Sequence, residues 1–187
     1  MKILSLFLFL FISINLWGQS DFTVQLHPLS INQLGGIQSY AKATFGNEWL
    51  IFGGRLDGLH RRQPWAAFDQ AGHNTKIFLI NPLDKSFSSV SLNNLPASIK
   101  EQLSSTNMEH IQLGNYLLLV GGYGYSATLN NHTTFPNITL VDIKGLVSAI
   151  KEGKPINRFF TQIEDSRFAV TGGYLGSIHD TLYLVGG

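Results

Sequence analysis

The chain has 187 residues, 44% of them hydrophobic and 13% charged, with 13 basic against 12 acidic side chains and no cysteine. So even a balance argues against nucleic acid or an acidic membrane as partner, and the missing thiols exclude disulfide stapling, thiolate chemistry and a lipid attached at cysteine. A compact β-rich domain with most strands buried is the class that remains.

Residues 1–20 read as a secretory signal peptide. Lys2 provides a short positive end, Ile3 to Leu16 is mostly Leu, Phe and Ile, and the small residues Gly18 and Ser20 precede Asp21. An apolar run of roughly 14 residues is shorter than the ~20 that a spanning helix needs. The protein is therefore expected to be exported (periplasmic, cell-surface or secreted), with no stable membrane insertion once the signal is cleaved. Without Lys2 the charges balance at 12 and 12.

Asp21-Phe22-Thr23-Val24-Gln25-Leu26 alternates apolar and polar residues, the period of a strand with one face covered. Phe87 to Leu92 and Phe160 to Ile163 share that start and alternation. Beyond it stands a run that recurs. Gly46-Asn47-Glu48-Trp49-Leu50-Ile51-Phe52-Gly53-Gly54 returns as Gly114-Asn115-Tyr116-Leu117-Leu118-Leu119-Val120-Gly121-Gly122 and again from His179-Asp180 to Gly186-Gly187. From Gly53 to Gly121 is 68 residues and from Gly121 to Gly186 is 65, nearly constant, as in a repeat architecture. Each copy pairs a tight-turn signal with an apolar strand, and predicts a hairpin packed in a core, Leu118 included. The paired glycines end the strand where a side chain would clash or the backbone angle would forbid one. No helix carrying Lys-Ser or Lys-Thr follows them, so they are not phosphate loops. Further strands are expected at Lys76 to Pro82, before Phe87, and at Ile138 to Asp142, before Phe159-Phe160. One short helix is expected over 144–153, with Leu146, Val147 and Ile150 on its apolar face.

Four apolar residues, a double glycine, and then a strand and an aromatic resemble the kelch repeat. The departures are Ile80 or Val141 where the family has Tyr, Phe87 or Phe160 where it has Trp, and Asn81 against Asp142 where it has Asp. The resemblance implies an all-β fold, namely kelch-type β-propeller blades of four antiparallel strands in residues 21–187. Blade 1 would span about 36–92, blade 2 about 107–163 and the start of blade 3 about 166–187, with 21–27 as the outer strand closing the last blade. About two and a half blades are fewer than the roughly four a propeller needs, so the chain is expected to be an N-terminal part of a longer protein, with apolar sheet faces left open. A narrower resemblance is to secreted kelch-type proteins of the Bacteroidetes.

Two insertions of about twenty residues separate second from third strands, too long and aromatic for plain connections. The resemblance implies that such loops share one face, where the family's ligands commonly sit. It thus gathers Arg55, Asp57, His60, Arg61, Arg62, Trp65, Tyr123, Tyr125 and His132 around one rim. Arg offers forked donors to anions, Trp and Tyr offer stacking faces, and Asp accepts from hydroxyls. That mixture suits a binding module for a glycan, an anionic small molecule or a protein. The competing role for these residues is bracing, with Arg61 and Arg62 on Asp57 and Asp69, and Trp65 and Phe68 packed beneath. The other function in view is a carbohydrate-active enzyme of the sialic-acid epimerase or mutarotase type, for which Glu109, His110, Asp57 and His60 are the available acids and bases. The six histidines lack metal-ligand spacing, so neither a metal nor a cofactor is expected.

Overall fold

The computed structural model describes residues 23–58 and 67–187, so the expected signal segment lies outside the described residues. The architecture is mostly antiparallel β. Sheet 1 runs β1 (Ala41–Phe45), β2 (Glu48–Phe52), β3 (Lys76–Asn81), β4 (Ser86–Ser91) in chain order. Sheet 2 repeats that up-and-down order with β5 (Glu109–Leu113), β6 (Tyr116–Val120), β9 (Asn137–Asp142) and β10 (Phe160–Glu164). Between its second and third strands is a separate hairpin, β7 (Tyr123–Ser126) with β8 (Asn131–Thr134), and a last hairpin joins β11 (Tyr174–Ile178) to β12 (Thr181–Val185). The three recurring runs are thus β2, β6 and β12, each paired with the strand just before it. In the turn that precedes each of these three strands the first residue takes the positive angle: φ is 59° at Gly46, 59° at Gly114 and 53° at His179.

Two α-helices are present among the described residues. The expected one is α2 (Ile143–Lys151): the Asp142 carboxylate accepts from Gly145 N at 3.0 Å to cap it, and Ile143, Leu146 and Val147 are buried at helical spacing. The other, α1 (Ala97–Leu103), was not anticipated. Its seven residues are too few for a clear apolar period, and Pro96 supplies no side-chain cap. In its described part, residues 23–27, the alternating stretch from 21 is paired with no strand, and Val24 and Leu26 stand 68% and 89% exposed. One further expectation is corrected: the second insertion is an ordered hairpin rather than a loop.

The core lies between the two large sheets. Leu50, Phe52, Ile77 and Leu79 of sheet 1 meet Leu117, Leu119 and Val141 of sheet 2, with Leu103, Ile143 and Leu146 closing the margins. Leu118 is only half-buried, because strand alternation turns it to the opposite face of sheet 2.

The sequence repeat is also a repeat of contacts. Gly54 N donates to Ser105 O at 2.9 Å, and 68 residues on Gly122 N donates to Val170 O at 2.9 Å. Asn107 N donates to Ser39 O at 3.1 Å, and Gly172 N to Asn107 O at 3.2 Å. The hydroxyls of Thr106 and Thr171 reach those same acceptors, each at 3.3 Å. A Cβ on Gly53 would strike Ser105 O, and one on Gly121 would strike Val170 O. The double glycines therefore let one unit's strand end dock on the backbone of the next.

Candidate functional site

Arg55 leaves β2 directly after the paired glycines, and its backbone is bridged to Gln38 on one side and His73 on the other. Its side chain is 2% exposed. Burial of a guanidinium needs partners, and here Nε donates to Asp57 Oδ1 at 2.9 Å, Nη2 to Asp57 Oδ2, and Nη2 also to Asp69 O at 3.1 Å. The Phe68 ring lies 5.6 Å from the guanidinium carbon. The hydrogen bonds from Arg55 hold the Asp57 carboxyl below the usual carboxylate range. Arg55 thus braces the first insertion on Asp57.

The second insertion is held from α1. Glu101 accepts from Ser126 Oγ at 2.6 Å, from Thr128 N at 2.9 Å and from Thr128 Oγ1 at 2.8 Å. Burial opposes the charge on Glu101, but these hydrogen bonds outweigh it and its carboxyl is lowered. The hairpin base is tied by reciprocal bonds between Thr106 and Tyr123, each 2.9 Å.

So fixed, the two insertions meet. His132 Nε2 donates to Phe68 O across the junction at 3.0 Å, since a carbonyl can only accept. Phe68 and Tyr123 pack edge to face at 5.2 Å, Tyr123 stacks on His132 at 6.0 Å, and Tyr125 meets His132 edge-on at 5.5 Å. Tyr125 OH donates to Asn130 Oδ1. Five of the expected rim residues, Arg55, Asp57, Tyr123, Tyr125 and His132, are therefore gathered around Phe68. The aromatic members are half-buried, with ring surface left to solvent beside a paired guanidinium and carboxylate. His60, Arg61, Arg62 and Trp65 lie outside the described residues.

Sequence reasoning missed His73, the residue bridged to Arg55. It is 8% exposed, and burial, followed by the nearby charges of Arg55 and His132, pushes its imidazole below the ordinary value of 6.5. Among the described residues neither His73 Nε2 nor Arg55 Nη1 has a hydrogen-bond partner. The signal for His73 was only its place just before β3, because the spacing test sought metal ligands. Glu109 and His110 do not form an acid–base couple. As neighbours on β5 they point to opposite faces; Glu109 Oε1 accepts from Gly173 N, and His110 Nδ1 lies 3.3 Å from Met108 O. Among the described residues, no three His, Asp or Glu side chains are placed to hold a metal ion, and no helix is long and apolar enough to cross a membrane. In comparison with known proteins, the chain matches no family model and no curated protein.

Proposed function

We propose that this is an exported kelch-like protein whose sheets are propeller blades and whose long insertions form a binding surface for a glycan or an anionic small molecule. The observation that carries the reading is the junction of the two insertions, where the Tyr123, Tyr125 and His132 rings are ranged beside the Arg55–Asp57 pair. Half-buried aromatic faces next to fixed polar groups are the chemistry of sugar recognition, and rigid sheets keep them in place. The recurrence of the same inter-unit hydrogen bonds at 68 and 65 residues supports the propeller part of the reading. The enzyme alternative, of the sialic-acid epimerase or mutarotase type, has less support, because Asp57, Glu109 and His110 are each engaged with neighbouring groups.

The full-length exported protein, screened on a glycan array and then titrated by calorimetry, tests this. Tyr123→Ala and Trp65→Ala are each expected to weaken a confirmed ligand by about 1–3 kcal/mol while leaving the fold intact. Unchanged affinity in both would move the site away from the insertions. Export is checked separately by mass spectrometry, with a mature N-terminus expected near Gln19 or Asp21.

A further inference from the structure

The junction of the two insertions encloses an imidazole that has nowhere to place a second proton. His73 is buried, and among the described residues its Nε2 has no hydrogen-bond partner. The ring lies against the backbone of β7: a Cβ on Gly124 would stand 3.1 Å from His73 Cε1 and 3.4 Å from Nε2. A proton added there would make a charged donor with no acceptor in reach, in a place that water does not enter. Burial of an unpaired charge of that kind is costly.

The groups around the ring do not compensate. Arg55, bridged to His73 through the backbone, is a buried guanidinium whose Nη1 is itself unpartnered, and β8 brings up a second imidazole, His132. Asp57 is the carboxylate that acts on His73, and Arg55 already holds both of its oxygens. Tyr123 and Tyr125 of β7, and Ser105 between α1 and β5, bring no charge. Burial first, then Arg55 and His132, therefore outweigh Asp57 and the Phe68 carbonyl, and the protonated ring is disfavoured. The cover over the ring is separable from the sheets. β7 and β8 form a two-stranded sheet of their own, tied to their surroundings by the Thr106–Tyr123 bridge, by Glu101 and by the His132 bond to Phe68 O. Neither large sheet has to part for the hairpin to leave His73.

We propose that the junction is a proton-operated latch: protonation of His73 in mild acid parts the β7–β8 hairpin from the first insertion while both large sheets stay intact. His132 is not the trigger, because an imidazolium donates from both nitrogens and so keeps its bond to Phe68 O. His73 instead gains a charged N–H that only water can satisfy, so the open arrangement takes up the proton first. With an ordinary value of 6.5 when open and a lower one when closed, a single proton raises the opening constant by at most about 25-fold between pH 7 and pH 5. The latch rests on the geometry of the junction and not on the ligand reading.

Hydrogen exchange on the full chain tests it, expressed as protection factors so that the intrinsic pH dependence of exchange cancels. Protection at residues 123–134 should fall several-fold from pH 7 to pH 5, while β6 and β9 keep theirs. In His73→Gln that fall should vanish. In His132→Gln protection should be lower at both pH values and the fall should remain, because the lost bond does not titrate. Unchanged protection in the native chain, an equal fall in His73→Gln, or a fall that spreads to β6 and β9 overturns the latch. Should His73→Gln fail to fold, NMR titration of the native imidazoles decides: the His73 ring should take its proton together with the loss of hairpin protection, and a ring that is protonated while the hairpin stays protected sinks the proposal.

Discussion

At the scale of single residues, the rim is organised by Arg55 and His73. Arg55 is fully buried while its partner Asp57 has a 39% exposed side chain, so truncating the arginine leaves a carboxylate that water can reach. The cost of Arg55→Ala is thus expected to be about 1–3 kcal/mol, from lost charged hydrogen bonds, rather than the larger penalty of a stranded buried charge. Chemical denaturation measures it. His73 makes the rim sensitive to acid. Its folded pKa lies below the unfolded 6.5, so the unfolded chain binds the extra proton. Its stabilising contribution is present above 6.5 and is lost as pH falls through the lower folded value. The loss in Tm between pH 7 and pH 5 should be smaller in His73→Gln than in the native chain, and an equal loss in both would show that other groups carry it. Depressed carboxyls such as Asp57 and Glu101 act only at lower pH, below the usual carboxylate range.

At the scale of elements, glycine has two separable roles. Gly46 (φ 59°) has open space where a Cβ would go, whereas Gly53 (φ 61°) has the Ser105 carbonyl there. Gly46→Ala is expected to cost only the left-handed backbone penalty, about 1–2 kcal/mol. Gly53→Ala adds overpacking of about 1–3 kcal/mol on top. Equal denaturation midpoints for the two variants would refute the junction role. The β7–β8 hairpin depends on α1 through one carboxylate. Glu101→Ala should speed hydrogen exchange at residues 126–131 while leaving β6 and β9 protected, because those strands are held by sheet 2 itself.

At the scale of the whole molecule, stability is concentrated where two sheets face each other. Leu119 is fully buried there, so Leu119→Asp strands a charge in the core and should abolish the cooperative unfolding transition, whereas a polar change at Leu118 should be milder. The β11–β12 hairpin has one sheet neighbour and every β12 residue exposed, so its amides should exchange first in the native monomer.

The sequence by itself determined where the three repeated strands fall. An apolar run between a turn pair and two glycines is a local code, and period, turn chemistry and backbone angle are all set within a few residues; β2, β6 and β12 therefore fall where the pattern puts them. The convergence of Arg55, Tyr123, Tyr125 and His132 was foreseen from the resemblance and not from spacing. Three things were decided only by the tertiary structure. One is the bracing of the insertion by Arg55, since burial depends on what the insertion folds against. Another is His73, whose role follows from a backbone bridge to a residue 18 positions earlier in the chain. The last is the β7–β8 hairpin, which the sequence shows only as a long insertion, because its strand pairing and its hold on Glu101 join residues from separate elements.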